Sequence, residues 1–274
     1  MTVHFIGAGP GAADLITLRA RDLLAASPVC LFAGSLVPRA VLEHCPPGAR
    51  LVDTADLTLD AIVAELAAAD GAGLDVARLC SGDPSFFSAV AEQMRRLDAL
   101  SIDYDVTPGV PAFSAAAASL KRELTVPGVA QAVVLARGSR RATPLPDGED
   151  LVSLARAFGK ARSTLVLHLA VQMIDDVVVD LLPEYGSDCP VAVVAYASRD
   201  DEIVLRGTLD TIAAQVHEAG VRRTAVIVVG AALTAEVFPD SHLYGTRLKE
   251  RVRTVEVRAP EVCAPEVCAP EGSA

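Results

Sequence analysis

The first half of the chain alternates short, β-prone apolar runs with stretches in which apolar residues return every three or four positions. The runs are "VHFI" (3–6), "VCLF" (29–32), "RLV" (50–52), "LDVARLC" (74–80) and "YDV" (104–106). Between them Leu59, Ile62, Val63 and Leu66 fall at i, i+3, i+4 and i+7, and Phe86, Val90, Met94 and Leu97 form a second stripe. Side chains at that spacing share one helical face, so both stripes predict helices packed on a sheet. The strand, helix, strand rhythm is that of a parallel, helix-covered sheet, and the fold class expected is α/β.

After "KRELTVPGV" (121–129) the rhythm restarts with "AVVLA" (132–136), "TLVLHLA" (164–170), "VAVVAYA" (191–197), "EIVLRG" (202–207) and "AVIVVG" (225–230). Two α/β domains are therefore expected, residues 1–124 and 125–248, with the boundary near Thr125. The segment "AYASRDDEIVLRG" has the pattern of a hairpin, which predicts a mixed second sheet. Residues 249–274 contain Ala-Pro-Glu-Val-Cys twice, at 259–263 and 264–268. Recurrent proline blocks helix and ladder alike, so a flexible tail is expected there.

Composition narrows the class. Apolar residues make up 51% with 4% aromatic and no Trp, so the core must be built from Ala, Val and Leu, as in helix-covered sheets. A formal charge of −11 disfavours a broad nucleic-acid interface. No apolar run approaches the ~20 residues of a bilayer span, and "MTVHFIGAG" lacks the charged opening of a signal peptide, so a soluble cytoplasmic protein without a membrane partner is expected. Six cysteines occur without a C-x-x-C pair, and no metal site is expected. His4 and His168 lie inside strand-like runs and read as packed or hydrogen-bonded residues.

The stretch "GAGPGAADLIT" (7–17) raises the question of dinucleotide binding, because Gly7, Gly9 and Ala12 satisfy a relaxed G-x-G-x-x-G/A pattern after a strand. Two details oppose it. Pro10 has no amide to offer a pyrophosphate, and "LFAGS" at the end of the second strand lacks the acid that would hold a ribose. What remains is a rigid turn at a strand end where another molecule can approach the main chain, followed by a helix capped by Thr17. Two more strand-to-helix turns, "CSGDPSFFS" (80–88) and "VTPGVPAFSAAAA" (106–118), share this position. Asp83 before Pro84 reads as a helix N-cap followed by a first-turn proline. Ligands of open α/β sheets gather at such strand ends.

Taken in order, "GAGPGAADLITLRARDLL", "SGDPSFFSAV", "PGVPAFSAAAA", "STLVLHLAV", "CPVAVVAYASRDDEIVLRGTL" and "TAVIVVG" resemble the tetrapyrrole methylases from about Val3 to Leu248. The first loop departs from many relatives at Ala12 and Ala13. The resemblance implies two α/β domains with S-adenosylmethionine in the cleft between them, leaving as S-adenosylhomocysteine. Carried over position by position, it implies cofactor contacts at Pro10, Ser81, Gly82, Asp83, Phe86, Pro111, Ala112, Leu169, Ala197, Thr224, Ala225 and Val226. Within the family, "LFAGSLVP" (31–38), "SGDPSFFSAVAEQM" (81–94) and "ELTVPGVAQAVVLARGSRRATPLP" (123–146) are most similar to members that alkylate ring carbon 11 of the macrocycle.

The implied substrate is a polycarboxylate tetrapyrrole, so an acidic chain must supply local positive charge. Arg137, Arg140 and Arg141 in "RGSRR" are the first candidates, with Arg39, Lys121 and Arg122 next, because a guanidinium grips a carboxylate through two parallel bonds. Transfer of a sulfonium methyl disperses positive charge, which an apolar, water-poor cleft favours. Asp83 is expected to orient the cofactor, and no catalytic residue or general base is assigned. Family members suggest a homodimer. The alternatives are a methylase of this fold acting on another ring carbon or on an RNA ribose, an NAD-dependent oxidoreductase built on the first loop, and a cofactor sensor without turnover.

Overall fold

The computed structural model describes residues 1–34, 36–139, 143–159 and 162–241. Met1–Phe238 form one compact unit, and of the second unit, Pro239–Ala274, only 239–241 are described. The expected tail at 249–274 lies outside the described residues.

The first sheet holds β1 (Val3–Gly7), β2 (Val29–Phe32), β3 (Arg50–Asp53), β4 (Val76–Cys80) and β5 (Tyr104–Thr107), in the order β3-β2-β4-β1-β5. All its pairings are parallel, with Val3 opposite both Val76 and Tyr104. Parallel strands put every C-terminal end at the same edge. Because β4, β1 and β5 are neighbours, the three glycine-bearing turns emerge side by side.

Helices α1 (Leu18–Ala26), α2 (Arg39–Leu42), α3 (Leu59–Gly71), α4 (Ala91–Leu100) and α5 (Ala112–Leu120) follow the five strands in turn. Thr17 caps α1 as expected, its hydroxyl accepting the Ala20 amide at 3.1 Å. Alternate residues of the strands enter two cores: Phe5, Leu31 and Val76 pack with Leu66 of α3 and Leu97 of α4 on one face, and Ile6, Cys30 and Leu79 pack with Leu24 of α1 on the other. Period-two alternation with both faces buried explains why these strands read as continuous apolar runs.

The second sheet holds β6 (Val133–Arg137), β7 (Thr164–His168), β8 (Pro190–Ala195), β9 (Ile203–Thr208) and β10 (Ala225–Val229), in the order β6-β7-β10-β8-β9. Only β6 and β7 pair in parallel, and β8 and β9 form the expected hairpin. One face carries α6 (Leu151–Phe158), α7 (Ile174–Tyr185) and α8 (Ile212–Glu218) over Leu165, Leu167, Val193 and Ile227. The opposite face is covered by α5, whose Ala115, Ala116 and Leu120 pack on Val166, Val194, Val226 and Val228. Helix α5 thus leaves the first sheet and fills the second. Thr164, fully buried, donates its hydroxyl to the Leu124 carbonyl at 2.8 Å and fastens the connection between the sheets.

Two local expectations are corrected. The stripe from Phe86 to Leu97 is not one helix: α4 begins at Ala91, and Phe87 and Ala89 have φ of 51° and 52°. A left-handed residue cannot continue a right-handed helix, and Ser88 holds the bend by donating to the carbonyls of Asp83 and Phe86. For the same reason Asp83 caps no helix. Its Oδ1 accepts the Ser85 amide within the loop.

Candidate active site

Three glycines make the loop junction possible. A Cβ on Gly109 would lie 2.2 Å from the Gly82 carbonyl oxygen, and one on Gly7 would lie 2.5 Å from the Gly109 Cα. Side chains at these positions would force the turns apart, so glycine is required for close approach of three backbones. Gly9 and Gly82 exchange amide-to-carbonyl hydrogen bonds of 3.2 and 2.8 Å, and the Ala8 amide donates to the Cys80 carbonyl. Asp83, 8% exposed, accepts the Gly109 amide through Oδ2 at 2.9 Å. One carboxylate therefore ties the turn after β4 to the turn after β5.

This arrangement answers the question of the first loop. The Ala8 and Gly9 amides are spent on the neighbouring turn, the Ala12 amide donates to the Ser198 hydroxyl, and Pro10 has none. A pyrophosphate finds no cradle there. The glycines serve loop-to-loop contact, which opposes the oxidoreductase alternative.

Above the junction lies a cavity of about 670 Å3, within the range of small-molecule sites. All twelve positions singled out as cofactor contacts line it: Pro10, Ser81, Gly82, Asp83, Phe86, Pro111 and Ala112 from the first half, and Leu169, Ala197, Thr224, Ala225 and Val226 from the second. Leu169 is 62% exposed, an apolar side chain presented to the space. Four lining residues, Phe87, Ala89, Leu169 and Thr224, hold left-handed backbone without being glycine. Strain of this kind, about 1–3 kcal/mol for each residue, persists only where surrounding structure enforces it and clusters at ligand sites.

The wall contains residues that sequence reasoning passed over. Phe87 packs against the His168 ring at 5.4 Å, and Phe113 meets the same ring edge-on at 6.3 Å. His168 is packed, as expected of a core histidine, but its buried Nε2 has no hydrogen-bond partner among the described residues. Burial holds its pKa below the usual imidazole range, so the ring is neutral at pH 7. His4, by contrast, pairs with Asp105 Oδ2 at 2.9 Å. Arg78, 7% exposed, lies mid-strand in β4 and bonds Gln93 Oε1 through Nε at 3.0 Å, while the Gln93 amide donates to the Ala89 carbonyl. That chain of buried polar contacts supports the left-handed bend beneath Phe87. Arg222 and Arg223 also line the cavity. In the sequence, only the adjacency of His168 to Leu169 and of Arg223 to Thr224 hinted at these roles.

The arginines expected to meet the substrate are dispersed. Arg137 is not among the lining residues, and its guanidinium donates to the carbonyls of Gly138 and Thr143 at 3.2 and 2.8 Å. Arg39 lies in a smaller adjoining pocket. Arg140 and Arg141 lie outside the described residues. Among the described residues no three His, Cys, Asp or Glu side chains are grouped to hold a metal ion.

Chemically, the cavity is suited to holding a ligand and poorly suited to attacking one. Cys80 is the thiol in its wall, and burial pushes its pKa up to about 11, so it remains protonated. Both Asp83 oxygens are already engaged by backbone amides. Small and apolar groups supply most of the surface, with the side chains of Arg78, Arg222 and Arg223 set among them.

Residues 2–213 match the family model of the Tetrapyrrole (Corrin/Porphyrin) Methylases. A precorrin-4 C(11)-methyltransferase of Rhodococcus erythropolis is 64% identical over 244 residues, covering 89% of this chain and 96% of the relative. The solved structure of a cobalt precorrin-4 methyltransferase is 35% identical with a TM-score of 0.81, covering 85% of this chain and 96% of that one. A uroporphyrin-III C-methyl transferase from Thermus thermophilus, complexed with S-adenyl homocysteine, is 27% identical with a TM-score of 0.70, covering 85% and 99%. With its loops, its two sheets and these likenesses in agreement, the chain belongs to the tetrapyrrole methylases.

Proposed function

We propose that this chain is an S-adenosylmethionine-dependent methyltransferase that methylates ring carbon 11 of precorrin-4, giving precorrin-5 in cobalamin biosynthesis. The observation that carries the reading is the convergence of twelve separately placed positions on one cavity, in a chain 64% identical to a precorrin-4 C(11)-methyltransferase. The cavity fits the methyl donor: its walls are small and apolar, and neither Cys80 nor Asp83 is free to intercept an electrophile. When bound, S-adenosylmethionine supplies an electrophilic methyl group and remains as S-adenosylhomocysteine.

In this reading Pro10, Ser81, Gly82, Pro111, Ala112, Ala197, Thr224, Ala225 and Val226 hold the cofactor chiefly through main-chain atoms, with Phe86 and Leu169 packing on it. Asp83 acts by fixing two of the loops that form the wall. This refines the expectation that it orients the cofactor, since its oxygens already hold the Ser85 and Gly109 amides. An apolar lining keeps water from the reacting atoms and favours a transition state in which charge is spreading. Arg39, with Arg140 and Arg141 of the "RGSRR" segment, meets the carboxylates of the macrocycle, while Arg137 is engaged by carbonyls of its own loop. The reading includes a cytoplasmic location and a homodimer. Among the described residues no helix is long and apolar enough to cross a membrane.

The test is turnover with a carbon-13-labelled methyl donor and precorrin-4. The expected product is one methyl group heavier, with the label at ring carbon 11 by NMR. A label at another ring carbon replaces the position, and absence of transfer by folded, donor-binding protein overturns the reading.

A further inference from the structure

Beside the large cavity lies a second pocket of about 330 Å3 whose wall includes Arg39, Arg199 and Arg223. Leu36, Arg223 and Thr224 line both spaces, so the two adjoin. We propose that Arg39, Arg199 and Arg223 form a carboxylate subsite that receives an acidic side arm of the tetrapyrrole while its ring faces the large cavity. The proposal rests on the methyltransferase reading and adds to it Arg199 and Arg223, distant in sequence from the "RGSRR" segment.

Three separate elements deliver the charge. Arg39 opens α2, Arg223 stands just before β10, and Arg199 lies in the β8–β9 hairpin. Arg199 is held in place. Its stem fills the space a side chain on Gly11 would need, 2.5 Å from that Cβ position, and its guanidinium stands 5.1 Å over the Tyr196 ring. Asp201 accepts from its Nε at 3.0 Å. Among the described residues this is the one carboxylate in the pocket wall, set against three guanidinium groups. Arg39 and Arg223 make no ion pair among the described residues.

In a chain of net charge −11, unpaired cations gathered in one concavity repel one another and gain their complement from an anion. Guanidinium is suited to a carboxylate, whose two oxygens match its fork. Arg137 is spent on carbonyls of its own loop, which leaves the need for substrate-facing cations to be met elsewhere.

The experiment compares wild type with R39A, R223A and the pair, measuring KM for precorrin-4 at saturating methyl donor and Kd for S-adenosylhomocysteine by calorimetry. Each substitution should raise KM at least about tenfold, the loss expected for a charge-assisted contact, and R39A, at a residue that lines only the smaller pocket, should keep Kd within about twofold of wild type. R39K and R223K, which keep charge and lose the fork, should fall between, and this series remains informative if an alanine variant folds poorly. Unchanged KM in both series overturns the subsite. A weakened Kd with unchanged KM also overturns it, assigning the arginines to the carboxylate of the methionine moiety. A wild type that transfers no methyl group sinks the underlying reading instead.

Discussion

Asp83 and Gly109, twenty-six residues apart, are joined by a 2.9 Å hydrogen bond from the glycine amide to the carboxylate Oδ2. The same carboxylate takes the Ser85 amide at 2.8 Å. D83A leaves two amides without their acceptor in a nearly buried loop, a loss of about 1–3 kcal/mol in loop stability. The affinity for S-adenosylhomocysteine should fall roughly tenfold or more, and D83N, which retains one accepting oxygen, should lose less. Calorimetric titration of both variants checks the order.

The glycine junction predicts a sharp contrast between two conservative changes. G109A places a methyl against the Gly82 carbonyl with no flexible side chain to yield, so the cost should be about 3 kcal/mol or more, at the upper end of point-mutant effects. G71A, at the end of α3 with open space around it, should be neutral or stabilising by up to about 1 kcal/mol. Urea unfolding of the two variants measures the difference.

His168 should make stability depend on pH. Its pKa in the folded protein is depressed by desolvation, so below about 6.5 the unfolded chain binds a proton that the folded chain resists. Its contribution is full above the unfolded pKa, and it is lost as pH falls from there toward the folded value. H168F keeps an aromatic ring against Phe87 and Phe113 and removes a nitrogen that has no partner among the described residues. It should be at least as stable at pH 7.5 and should flatten the decline between pH 6.5 and 5, read from urea midpoints across that range.

Thr164 offers a fourth test. T164V keeps the shape and deletes the 2.8 Å bond to the Leu124 carbonyl, at a cost of about 0.5–1.5 kcal/mol in thermal unfolding. The packing around Val166 and Val228 should be undisturbed.

The strands were legible because both faces of each sheet are covered, which writes them as apolar runs; the hairpin pattern at 195–207 carried the antiparallel half of the second sheet. The Phe86 stripe misled for a stated reason. Its spacing continues the α4 face, yet left-handed Phe87 and Ala89, pinned through Ser88 and Gln93, stop the helix short. The cavity positions came from family likeness, since small and apolar residues have no chemical signature. What no linear reading could supply was juxtaposition: Gly11 against Arg199, Asp83 against Gly109, and the ring of His168 between two phenylalanines.

Helix α5 starts in the cavity wall at Pro111 and Ala112 and runs on into the groove of the second sheet. Any guest pressing on its first turn is therefore pressing on the wedge that unites the two halves of the molecule. Occupancy and cohesion then draw on the same free energy, and a saturating nucleoside ligand should make the whole unit melt later as one body, with no separate early transition of either half.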